Sequence, residues 1–81
     1  MNADLMIKMV NEISAFFAAE DDQELAAREV HNHLLKFWEP RMRAQLVEYY
    51  AQRKGAGLSE LSLKAVGHLA EGAHPSPMAS S

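Results

Sequence analysis

The sequence predicts an all-α fold: a small bundle of three main helices plus a short fourth, with a disordered C-terminal tail. Two observations carry this expectation. Apolar residues recur at spacings of three and four from Leu5 to Ala70, and no segment alternates as a half-buried strand would. Residues that start or stop helices punctuate the same stretch: Glu20-Asp21-Asp22, Pro40, Gly55, Ser59 and Gly72. One helical domain is therefore expected over residues 1–72, with a flexible tail over 73–81.

The first helix is expected from Asn2 or Ala3 to Ala18. On a helical wheel Leu5, Met6, Met9, Val10, Ile13, Phe16 and Phe17 fall within an arc of about 140°. Asp4, Lys8, Asn11 and Glu12 lie outside it, and Ile7 is the one large apolar residue off the stripe. Asp21, three residues before Glu24, has the spacing of a capping box and opens the second helix, which runs to about Trp38. Ala26, Val30, His33, Leu34 and Phe37 share its core face. Leu35 lies about 140° from Val30, so this helix has apolar residues on a second side. One face serves a core; two suggest that something further is covered.

Pro40 pushes Glu39 out of helical geometry and suits the first turn of a third helix, expected from Pro40 to Arg53. Met42, Leu46, Tyr49 and Tyr50 form its stripe. Gly55 suits a left-handed cap at its end. Ser59 caps the short fourth helix, with Leu58 and Leu63 as a hydrophobic staple. Leu63, Val66, Leu69 and Ala70 give its apolar side, and Gly72 ends it. The proline- and serine-containing remainder reads as the tail.

The totals narrow the function. An 81-residue chain is one small domain with a thin core, and such chains lean on disulfides, metals or partners. Its lack of cysteine removes disulfides, thiolate metal sites and cysteine nucleophiles. A lasting partner is the remaining common support. Eleven acidic against eight basic side chains give a net charge of -3, the opposite of a dedicated nucleic-acid binder. Asp4, Lys8 and Glu12 interrupt the N-terminal segment, which reads neither as a signal peptide nor as a membrane span. A soluble, cytoplasmic protein is expected.

Candidate chemistry resolves into structural roles. His31 and His33 point about 200° apart on a helix and cannot share an ion. His33 is expected on the core face and His31 outside. Gly55-Ala56-Gly57 opens like a dinucleotide loop, but the third glycine position holds Glu60 and no strand precedes it. Asp21, Asp22 and Glu24 suit a helix start, and Ser59 has no evident base. Arg28, Lys36, Arg41, Arg43, Arg53 and Lys54 leave a helix-turn-helix regulator as the alternative reading. The acidic balance and the divergent directions of Arg41 and Arg43 weigh against it.

The run from Lys36 to Arg43 holds the only tryptophan, beside a proline and two arginines. Aromatics next to arginines are the residue types that dominate binding energy at interfaces. Phe37 is expected to face the core and Trp38 to face outward. A partner-binding surface is expected around Leu35, Phe37, Trp38, Pro40, Arg41 and Arg43; the basic side chains are otherwise solvated surface charge, or one of them makes a charge-assisted bond to a partner carboxylate or backbone oxygen.

Three segments carry a family resemblance: Met9-Val10-Asn11-Glu12-Ile13-Ser14-Ala15-Phe16-Phe17, then His33-Leu34-Leu35-Lys36-Phe37-Trp38-Glu39-Pro40-Arg41-Met42-Arg43, then Gly55-Ala56-Gly57-Leu58-Ser59 with Ala65-Val66 and Leu69. Together they resemble the delta subunit of NAD-dependent formate dehydrogenases, the cytoplasmic, multi-subunit type containing molybdenum or tungsten. The resemblance covers about residues 5–70, and its middle segment is the most specific. It implies a non-catalytic accessory subunit that docks on the catalytic (alpha) subunit and supports assembly, cofactor loading or stability. The complex it resembles carries bis-molybdopterin guanine dinucleotide, iron–sulfur clusters and FMN, and uses NAD. No catalytic, cofactor or metal residue is implied in this chain, and neither nucleic acid nor membrane is an expected partner.

Overall fold

A computed structural model of the chain describes residues 2–73. They form four helices, with no strand among the described residues: α1 Ala3–Phe17, α2 Gln23–Phe37, α3 Pro40–Arg53 and α4 Glu60–Ala73. The expected tail lies, from residue 74 onward, outside the described residues. The fourth helix is not short. At 14 residues it equals α3, and Gly72 sits inside it rather than ending it.

Local chemistry explains each boundary. The Asn2 carboxamide oxygen accepts from the backbone N–H groups of Asp4 (2.7 Å) and Leu5 (3.4 Å), capping α1. Asp22, not Asp21, caps α2, accepting from Glu24 (3.1 Å) and Leu25 (3.2 Å). The Glu20 carboxylate accepts from the Asp22 N–H, and the cap falls one position later than the capping-box spacing implies. Trp38 and Glu39 are extended, and Pro40 opens α3 as expected. After α3 the chain turns left-handed at Lys54 and again at Gly55, with φ of 55° and 72°. Ser59 Oγ accepts from the Ser62 N–H (3.2 Å), so the expected cap of α4 is formed.

α4 packs most extensively on α2 and then on α3, while α1 lies chiefly against α2. The core joins Met6 and Val10 of α1, Ala27, Val30 and Leu34 of α2, Leu46 and Val47 of α3, and Leu61, Val66 and Leu69 of α4. Val47 takes the inward place expected of Tyr49, whose hydroxyl instead donates to the Ala56 carbonyl.

The largest departure from expectation is the roll of α1. Its buried line is Met6, Val10 and Ser14, about 70° around the helix from the middle of the expected stripe. Leu5 and Phe16 are exposed, while Ile7 packs against the core. A polar seam explains the rotation. Ser62 Oγ donates to Asn11 Oδ1 (2.8 Å) and receives Ser59 Oγ (2.9 Å) and Ser14 Oγ (2.6 Å). Asn11 also accepts from the Ser59 N–H (2.9 Å) and donates to the Gly57 carbonyl (2.9 Å). Ser62 thereby uses its one proton and both lone pairs. A satisfied network of this kind offsets the desolvation cost of polar side chains at a buried helix contact.

Candidate functional site

The corner between α2 and α3 is built by the run that the sequence singles out, with two assignments exchanged. Trp38 is buried, at 7% exposure, and Phe37 is 71% exposed. The expectation of Phe37 inside and Trp38 outside fails for a geometric reason. α2 ends at Phe37, and Trp38 has an extended backbone (φ -98°, ψ 140°), so the helical wheel no longer describes where its indole goes. The turn enforced by Pro40 folds the indole under the corner instead.

Arg43 closes that corner from inside the chain. Its Nη1 donates to the carbonyl oxygens of Trp38 (2.6 Å) and Leu35 (3.2 Å). Those carbonyls belong to the end of α2, where helical partners run out, and a guanidinium also favours the negative end of the helix. The charge-assisted bond expected to reach a partner is made to this chain's own backbone. Arg41 is exposed and makes no ion pair among the described residues. Of the two arginines in the first turn of α3, Arg43 is engaged with this chain's own backbone and Arg41 is exposed.

α2 carries exposed apolar surface on two opposite flanks. On one, Leu35, Pro40, Ala44, Val47 and Leu69 line a groove of about 330 Å³, with the stem of Arg43 along its wall. Leu35 remains 45% exposed there. His31 borders this groove and faces His68 of α4, with ring centroids 6.3 Å apart. His31 is thus half-buried rather than outside. Burial first, and then the neighbouring His68, lower its pKa below the ordinary value of 6.5. His68 in turn approaches Glu71 at 3.7 Å.

On the other flank, the ends of α1 and α2 form an aromatic row. Phe16 and Phe17 meet edge to face at 5.1 Å, Phe17 lies 6.3 Å from His33, and His33 lies 4.7 Å from Phe37. His33 is half-buried at the margin of the core, on the opposite flank from His31. The six residues singled out in the sequence therefore divide. Leu35, Pro40 and Arg43 line the groove, Phe37 joins the aromatic row, Trp38 supports the corner from beneath, and Arg41 stands in solvent.

Iron–sulfur ligation needs thiolates, and the chain has no cysteine. Among the described residues no group of three or more His, Asp or Glu could hold a metal ion. The glycine pair cannot cradle a phosphate either, because Gly55 is buried against Leu58, Leu63 and Tyr50.

Residues 5–66 match the family of the NADH-dependent formate dehydrogenase delta subunit FdsD. The chain belongs to this family. The match covers the whole α2–α3 corner, the aromatic row and the polar seam of the delta subunit. Leu69, on the far wall of the groove, lies just beyond it. No curated protein and no solved structure matches the chain. No helix among the described residues of the delta subunit is long and apolar enough to cross a membrane.

Proposed function

We propose that this delta subunit is a non-catalytic accessory chain of a cytoplasmic formate dehydrogenase complex. It docks on the catalytic subunit and supports assembly, cofactor loading or stability of the complex. In this reading bis-molybdopterin guanine dinucleotide, the iron–sulfur clusters, FMN and the NAD site belong to the other subunits. The observation that carries the reading is the groove beside Leu35, set on a corner that Arg43 bonds and buried Trp38 packs from within the chain. A preformed apolar groove binds without first ordering its own walls, so more of the contact energy is left for affinity.

The mechanism is mass action. A chain that binds only the folded, assembled form stabilises it, by about 2.7 kcal/mol when present at a hundred times its dissociation constant. Expressing the catalytic subunits with and without the delta subunit tests this, with cofactor content and subunit stoichiometry measured separately. Both should fall without it. Unchanged values for both would refute the accessory role. Leu35→Asp, which places a charge in the groove but leaves the core intact, should reproduce the loss.

A further inference from the structure

The aromatic row is a second surface with its own chemistry. It borders two adjoining hollows, of about 350 Å³ and about 290 Å³, that share Phe17 and His33 as their common wall. Phe16 is 78% exposed at one end and Phe37 stands at the other. A carboxylate edges each hollow: Glu12 the first, Glu29 the second. Neither makes an ion pair among the described residues, where the pairs are Lys64 with Glu24 and His68 with Glu71. α1 ends at this surface with no basic residue in its last turn to offset its negative pole, although the Ala15 and Phe17 carbonyls accept the Ala18 and Glu20 N–H groups. Lys36, which lines the second hollow, is the one lysine or arginine lining either of them, and His33 lines both.

From these features we infer that the aromatic row is a docking cleft for an arginine-bearing segment of a protein partner within the formate dehydrogenase complex. The inference rests on the accessory reading proposed above. Three chemistries converge on that ligand. Ring faces attract a guanidinium through their quadrupoles. Glu12 and Glu29 accept its N–H groups in the planar arrangement that carboxylates favour. The C-terminal end of α1, with no basic residue in its last turn, adds negative potential. Other occupants fit less well. A purely apolar segment would strip water from two carboxylates and return nothing to them. A second copy meeting the cleft about a twofold axis would bring Glu12 and Glu29 towards their own counterparts. Nucleic acid would meet the same two negative charges.

The test is retention of the full-length delta subunit on tagged catalytic subunit, co-expressed with the rest of the complex. The complex is washed from about 50 to about 500 mM salt, a range that shortens the Debye length severalfold. Three variants are compared with the wild type: Glu12→Gln with Glu29→Gln, Phe16→Ala with Phe37→Ala, and Leu35→Asp in the groove. Glu12, Phe16, Leu35 and Phe37 are exposed and Glu29 is half-buried, and circular dichroism checks that helicity is kept. The glutamine pair should lower retention at low salt about fivefold or more and flatten its salt dependence. The alanine pair should lower it about tenfold or more at every salt concentration. Wild-type retention and salt dependence in the glutamine pair, together with loss in Leu35→Asp, would overturn the cleft and leave the accessory role standing. Failure of the wild-type chain to be retained at all would remove the accessory role, and the cleft with it. A dimer of the isolated chain in sedimentation, dissolved by the alanine pair, would assign the cleft to self-association and equally overturn the inference.

Discussion

The two edges of α1 invert the usual placement of polar and apolar side chains. Along the edge facing α4, Asn11 and Ser14 are drawn into contact with Ser59 and Ser62, and Ser14 and Ser62 are buried. Along the edge beside the end of α2, Phe16 projects into solvent and Phe17 is half-covered. The difference shows what each edge is for. A buried hydroxyl is tolerated where its proton and lone pairs are all matched, so the seam specifies how α1 sits on α4. An exposed ring gains nothing for an isolated chain, whereas its burial against a partner recovers apolar area that folding left in water.

The largest expected effect breaks the seam. Ser62→Ala leaves Ser14 buried without its partner and Asn11 with one bond fewer, and should lower stability by about 2 kcal/mol in urea denaturation. The double variant with Ser14→Ala should lose less than the sum of the two singles, because both remove the same bond. Additive losses would show that the seam is not one network.

Arg43→Ala comes next, at about 1 kcal/mol, because its contacts to Trp38 and Leu35 are partly open to water, which replaces them in part. Near-ultraviolet circular dichroism of the tryptophan should weaken at the same time, since Trp38 lies beneath the same corner. An unchanged tryptophan signal would mean that Pro40 alone sets the turn.

Phe16→Ala and Phe37→Ala sharpen the contrast from the other side. Each should change the stability of the isolated chain by no more than about 0.5 kcal/mol, as exposed positions generally do. A loss several times larger would make the aromatic row part of the folding core.

The smallest effect is a pH dependence. In the folded chain His31 holds its proton less readily than the ordinary 6.5, first through burial and then through His68. The unfolded chain therefore binds more protons below about 6.5, and stability falls as pH drops through that value toward the lowered folded one. His31→Gln should reduce this slope on the acid side of neutrality. His68, its partner Glu71 and the Lys64–Glu24 pair are left in place by that substitution.

Much of the helical plan was legible in the chain. Pro40 and the αL turn near Gly55 bracket α3 as their backbone preferences require, and Ser59 caps the helix that follows it. The tryptophan–proline–arginine run was legible as a special place, and the family resemblance it carried was recovered in the match over residues 5–66. The roles within that run were less legible. A wheel assigns directions only while the chain stays helical, and it ended one residue before Trp38. Arg43 read as a hand extended to a partner because its acceptors, the last carbonyls of α2, are backbone atoms that no side-chain pattern reveals.

By itself the sequence determined the all-α class, the boundaries near Pro40 and Ser59, and the family. These depend on backbone preferences and on patterns within a few residues. Only the tertiary structure decided the roll of α1, the exchange of Phe37 and Trp38, and the presence of two apolar surfaces on opposite flanks of α2. Those depend on partners 46 to 51 residues apart in the Asn11 and Ser14 seam, and on a corner that carries the chain out of helical register. Periodicity says that a helix has a buried side. Which side is buried is set by the polar groups across the interface that can, or cannot, be satisfied there.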